Sequence, residues 1–184
     1  MRLFLAIELP PAVQSHLGRL QEALRSRARV SWTRPTNLHL TLQFLGEMPE
    51  TDVPSLTAAL AGVRQKSIDG LCFSRLEMFP PAGRVRIVGA ALTGDIAVVH
   101  QLHDAIQDAT AALGFAPELR AYRPHATLGR AGVPLPGSLR ATLAAAAEMH
   151  LPGPRFDVHE FVLMQSWLRS EGAQYLPVAR FALT

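Results

Sequence analysis

The chain has 184 residues, 48% hydrophobic and 18% charged, with a formal net charge of +3. That balance belongs to a folded globular chain and excludes an intrinsically disordered one. No apolar run approaches the roughly 20 residues of a helical membrane span, and a charge falls too early at the N-terminus for a signal peptide.

Cys72 is the only cysteine, so no internal disulfide can form and a reducing, cytoplasmic setting is expected. Its neighbours Leu71 and Phe73 place it in the core. Of the 18 basic residues only Lys66 is a lysine. Arginine suits bidentate phosphate contacts. A GC-rich genome gives the same ratio, so the charge permits a polyanionic partner without requiring one.

Residues 2–8 read as a strand. Pro10-Pro11 opens a helix with Leu17, Leu20 and Leu24 on one face, ending near Ala28. A short strand follows at Val30 to Trp32. Residues 37–45 alternate, with Leu38, Leu40, Leu42 and Phe44 on a core face and Asn37, His39, Thr41 and Gln43 on a polar one. Thr51 or Asp52 caps a helix running to about Gln65. Strands near 69–78 and 84–92 flank a Pro80-Pro81-Ala82-Gly83 turn. Asp95 begins a long helix to Leu113, closed by Gly114. A strand covers 124–129 and an alanine-rich helix 137–148. Two last strands cover about 156–164 and 174–183, joined by a turn around Glu171-Gly172. The order predicts an α+β fold with mainly antiparallel pairing. It divides into two pseudo-symmetric lobes of one domain, approximately 1–90 and 91–184, with room for strand exchange between them.

The division follows a repeated phrase. His39-Leu40-Thr41-Leu42 stands in one half and His125-Ala126-Thr127-Leu128 in the other. Each follows an Arg-Pro pair, Arg34-Pro35 or Arg123-Pro124. One such tetrapeptide is weak evidence; two in strand context are strong. On a strand, residues i and i+2 share a face about 6.6 Å apart. His39 therefore faces with Thr41, and His125 with Thr127. If the lobes face each other, two imidazoles and two hydroxyls converge. One imidazole can accept a proton while the other donates one, and hydroxyls can hold phosphoryl oxygens. This set matches in-line displacement at phosphorus. Arg130 is the natural cation for the developing charge, with Arg34 and Arg123 behind it.

The paired tetrapeptides resemble those of the two-histidine phosphoesterases. More narrowly, the chain resembles the LigT-like RNA 2',3'-cyclic phosphodiesterases, also called 2'-5' RNA ligases. The likeness extends from Arg2-Leu3-Phe4-Leu5-Ala6-Ile7-Glu8-Leu9-Pro10 through both motifs to Gly172-Ala173-Gln174-Tyr175. It implies a bilobal fold with a central cleft, no metal and no cofactor. It implies hydrolysis of RNA 2',3'-cyclic phosphate ends, or of small cyclic nucleotides, to 2'-phosphates. By this resemblance His39 is the proton donor to the leaving 3' oxygen and His125 the proton acceptor from water. Thr41, Thr127 and Arg130 bind the phosphate. Residue types alone leave open which histidine takes which role. Ala126 is smaller than the family's usual residue there, and since it faces the core, only packing should change.

Other features carry less. His100, His103 and Asp104 share a helix face but lack a third clear metal ligand, so a solvated face is expected. His16, His150 and His159 stand outside any motif. Trp32 and Phe44 flank the first tetrapeptide; Phe44 is expected in the core, and Trp32 is a candidate for stacking on a base. Two alternatives to hydrolysis remain: 2'-5' RNA ligation at the same site, and non-catalytic RNA or nucleotide binding. The latter would tolerate loss of a motif His or Thr, and none is lost here. The expected protein is a monomer with no membrane association.

Overall fold

A computed structural model describes residues 1–169 and 172–184. The turn expected around Glu171-Gly172 falls partly outside these residues. The strands are β1 (Arg2–Glu8), β2 (Ser31–Trp32), β3 (His39–Glu47), β4 (Ile68–Phe79), β5 (Val85–Thr93), β6 (His125–Leu135), β7 (Phe156–Val158), β8 (Glu160–Arg169) and β9 (Gly172–Ala182). The helices are α1 (Pro11–Arg25), α2 (Val53–Ala61), α3 (Ile96–Ala111) and α4 (Leu139–Ala147). The fold is α+β. Helices α1 and α2 end earlier than their apolar patterns predict, at Arg25 and just before Gly62. No helix among the described residues is long and apolar enough to cross a membrane.

All strands join one antiparallel sheet in the order β7-β4-β5-β6-β3-β1-β8-β9, with β2 paired to β6. The expected strand at 156–164 is two strands. β7 pairs with β4 at one end of the sheet, and β8 pairs with β1 at the other. Among the described residues each end therefore holds four strands of this path, with a His-x-Thr strand innermost, and β2 joins the end that contains β6. A boundary near residue 90 does not separate these ends, because β4 and β5 pair with β6 while β8 and β9 extend β1.

One sheet face carries the helices and the core. Leu38, Leu40 and Leu42 are buried there, as are Ala126 and Leu128. α1 contributes Val13, Leu17, Leu20 and Leu24, and α3 contributes Val98, Val99, Leu102 and Ile106. This burial sets the register. Slipping β3 by one residue would turn three leucines outward and lose about 5–9 kcal/mol of apolar burial. That is comparable to the whole stability of a domain, about 5–15 kcal/mol. The core thus forces His39 and Thr41 onto the opposite, helix-free face. Cys72 is buried, as its neighbours predict.

Candidate active site

The two ends of the sheet meet where β3 pairs with β6, through Leu40 opposite Ala126. These are the second positions of the two tetrapeptides. An antiparallel register through that pair carries His39 toward Thr127 and Thr41 toward His125. Leu40 and Ala126 are fully buried, so all four polar side chains emerge on the other face, where each is half-buried. The repeat is a local two-fold.

Both imidazoles are oriented the same way. The Nδ1 of His39 lies 2.8 Å from the carbonyl oxygen of Asn37, and the Nδ1 of His125 lies 2.7 Å from that of Arg123. A carbonyl only accepts, so Nδ1–H donates in each case and Nε2 is left for chemistry. Pro35 and Pro124, each directly after its arginine, help shape these approach segments. Aromatic rings brace the imidazoles. Phe4 and Tyr175 lie 5.0 and 5.2 Å from the His39 ring, and Phe79 lies 4.6 Å from that of His125.

Alternation stops at the fourth residue of each tetrapeptide. β3 bulges against β1 at Leu42, and β6 bulges against β5 at Leu128. Each bulge inverts the faces beyond it. Gln43 and Gly129 are consequently buried, while Phe44 and Arg130 turn to the face of the histidines. This corrects the expected core position of Phe44, which is 58% exposed. It also explains how Arg130 reaches the site.

Burial holds the His39 pKa below its ordinary value. The Asn37 carbonyl opposes this, Arg130 adds to it, Glu8 opposes it and His125 adds to it. Glu8 is the β1 residue directly opposite His39. Burial raises the Tyr175 pKa, against the positive charges of Arg130 and Arg2.

Tyr122 is a member of the site that the sequence reading missed. Its hydroxyl donates to the Thr41 carbonyl at 2.9 Å, tying the segment before His125 to the first tetrapeptide. The His103 ring stacks on it at 4.0 Å. His103 is 7% exposed, which corrects the expected solvated face. Its Nδ1–H donates to Asp104 at 3.0 Å. Among the described residues no group of three or more His, Cys, Asp or Glu is placed to hold a metal ion. Trp32 packs on the core and over the chain at Gly129, with the Arg25 guanidinium 6.0 Å from its ring.

Gly89 is a second unanticipated member. It lies opposite Thr127, so it shares the histidine face. A Cβ there would sit 3.0 Å from His125 Cδ2 and 3.2 Å from the Ala126 carbonyl oxygen. Gly89→Ala should displace the imidazole by a few tenths of an ångström and lower kcat about tenfold with little change in KM. Gly132→Ala, where a Cβ meets nothing within 4 Å, is the control. Equal kcat values for the two variants would show that the ring tolerates the displacement.

In-line displacement at phosphorus needs a base and an acid on opposite sides of the atom, and donors for the oxygens between them. A two-lobed sheet that brings imidazole and hydroxyl together from each lobe is suited to that task, and the class it defines is the phosphoesterases. The chain belongs to the LigT like phosphoesterases, whose family profile matches residues 7–87 and 95–175. Each matched stretch holds one of the tetrapeptides.

The RNA 2',3'-cyclic phosphodiesterase of Thermus thermophilus is 30% identical, covering 100% of this chain and 90% of the relative. That of Archaeoglobus fulgidus is 26% identical, covering 95% and 96%. Among solved structures, E. coli LigT complexed with 3'-AMP has a TM-score of 0.79 at 26% identity, covering 100% of this chain and 98% of that one. TT0787 of Thermus thermophilus has a TM-score of 0.78 at 26% identity, with the same coverage.

Proposed function

We propose that this protein hydrolyses RNA 2',3'-cyclic phosphate ends to 2'-phosphate ends, using two histidines and no metal, within one bilobal domain. The observation that carries the reading is the matched orientation of the imidazoles. Each Nδ1 is held by a carbonyl two residues upstream, so each Nε2 is available on the shared face. The names of the relatives support the substrate.

In this mechanism Nε2 of His125 takes a proton from water as its oxygen attacks phosphorus. The P–O3' bond breaks, and Nε2–H of His39 gives its proton to the leaving 3' oxygen. The Thr41 and Thr127 hydroxyls donate to the non-bridging oxygens, and Arg130 offsets their charge. Burial disfavours the proton that His39 must donate. The bound phosphate anion acts in the opposite sense and restores it. His125 then returns its proton to solvent, and His39 regains one.

The test is turnover of a 2',3'-cyclic nucleotide and of an oligonucleotide with the same end, in excess EDTA, with product position resolved. The expected result is undiminished hydrolysis to the 2'-phosphate alone. Loss of activity in EDTA, restored by a divalent ion, would overturn the metal-free reading. A 3'-phosphate product would overturn the assignment of the leaving oxygen. A parallel incubation with a 5'-hydroxyl RNA reports ligation, which the same groups must also catalyse by microscopic reversibility.

A further inference from the structure

The repeat makes the two histidines alike in sequence and in orientation, yet one must give a proton and the other take one. Their partners across the sheet are not alike. In the β1–β3 ladder Ile7 pairs with Leu40 and Glu8 with His39. Ile7 and Leu40 are buried in the core, so Glu8 and His39 emerge together on the opposite face. Directly opposed residues of an antiparallel pair have Cβ atoms about 4.5–5.5 Å apart, close enough for their charges to interact. In the β5–β6 ladder the residue opposite His125 is Ala91. Glu77, on that side of the sheet, is paired with Arg123 at 3.2 Å.

Glu8 is itself held. Successive pairs carry Thr41 to Ala6, Ala6 to Val162 and Val162 to Arg180, so Arg180 of β9 stands on the same face as His39. Its Nη1 donates to Oε2 of Glu8 and to Oε1 of Glu160 on β8. Two carboxylates thus share one guanidinium, and the group keeps an excess of negative charge. All three side chains are partly exposed, so as a stability device these ion pairs are worth little. The other groups near His39 do not replace Glu8. Arg130 and His125 come from β6, Tyr175 is neutral because burial raises its pKa, and Arg2 stands at the far end of β1, opposite Glu47.

We propose that Glu8 is the positioning residue that makes the two histidines unequal: its carboxylate keeps on His39 the proton that the leaving 3' oxygen takes, and Arg180 draws that carboxylate toward β8 and β9 and so limits the hold. The inference rests on the hydrolase reading given above. Burial, Arg130 and His125 all act against a proton on His39, while the Asn37 carbonyl and Glu8 act for it. Without a counter-charge the buried imidazole yields its proton to solvent before the leaving oxygen can take it. With an unshared carboxylate against it, the imidazolium is a weaker acid. A carboxylate shared with Arg180 lies between these extremes.

The experiment follows the imidazole titrations of His39 and His125 by NMR in the free protein, beside the pH dependence of kcat/KM on a 2',3'-cyclic nucleotide. Glu8→Gln should move the His39 titration and the alkaline limb of kcat/KM down in pH, lowering kcat/KM above the limb about two- to fivefold. His125 should move less than His39. Glu8→Asp, which keeps the charge, should lie closer to the wild type than Glu8→Gln in both measurements. Arg180→Gln should move the His39 titration and the limb up, because it removes a cation and frees the carboxylate. A residue that only propped the sheet would lower the rate without moving either. A His39 titration that stays in place in Glu8→Gln, or that moves the same way in Glu8→Gln and Arg180→Gln, overturns the inference while leaving hydrolysis intact. Equal movement of His125 overturns it too, because Glu8 would then not distinguish the two rings. Titrations that move as expected in a protein with no wild-type turnover defeat the hydrolase reading, and the acid step with it, but not the charge relation.

Discussion

His125→Ala is expected to lower kcat on a 2',3'-cyclic phosphate by about 10²–10⁴-fold, the usual contribution of one positioned acid or base. His39→Ala is expected to lower it over the same range. The double variant should fall little further than either single one, because in the proposed mechanism base and acid act on opposite ends of one concerted displacement. The two substitutions differ in their structural cost. The His39 ring is packed between Phe4 and Tyr175, so alanine leaves a gap beside a small apolar cluster of Phe4, Ala6, Val162 and Met164. His39→Gln fills more of that gap without supplying an acid. It should match His39→Ala in kcat while unfolding closer to the wild-type temperature. Single-turnover kinetics and thermal unfolding measured together separate the two effects. If either histidine variant turned over near the wild-type rate, the two-histidine mechanism would be wrong.

How much of this site is legible in the sequence depends on range. The tetrapeptides and their shared face follow from period-two alternation, because Leu38, Leu40 and Leu42 must be buried and nothing but register decides the rest. The bulges at Leu42 and Leu128 do not follow from alternation, since one extra residue leaves no compositional mark. Alternation alone therefore puts Phe44 on the wrong face. His103 does carry a signal. It sits at helical spacing with Val99, Ile106 and Thr110, all of them buried, so it belongs to the core stripe of α3. Its ring is buried because Tyr122 covers it. The parting of β7 and β8 to opposite ends of the sheet is a long-range choice, and two strands separated by one residue do not announce their partners.

Arg130 is the residue for which the bulge matters most, and Arg130→Ala is expected to lower kcat by about 10²–10³-fold, as for loss of one preorganised donor to a developing oxyanion. That is about 2.7–4 kcal/mol of transition-state stabilisation. Strict alternation from Thr127 would turn residue 130 toward the buried side. The bulge at Leu128 instead sets it opposite Ile87 on the cleft side. There its charge acts on His39, lowering the pKa that burial already lowers. Removing it has a second effect, of opposite sign. His39 then holds its proton to higher pH, so the alkaline limb of kcat/KM moves up in pH while the plateau falls. Arg130→Lys keeps the charge and loses the bidentate fork. It should recover part of the rate and leave the limb near its wild-type position. A residue that merely propped the strand would lower the rate without moving the limb. A full pH–rate profile of the two variants therefore decides whether Arg130 acts by its charge or only props the strand, and an unshifted limb in Arg130→Ala would rule out its electrostatic contact with His39.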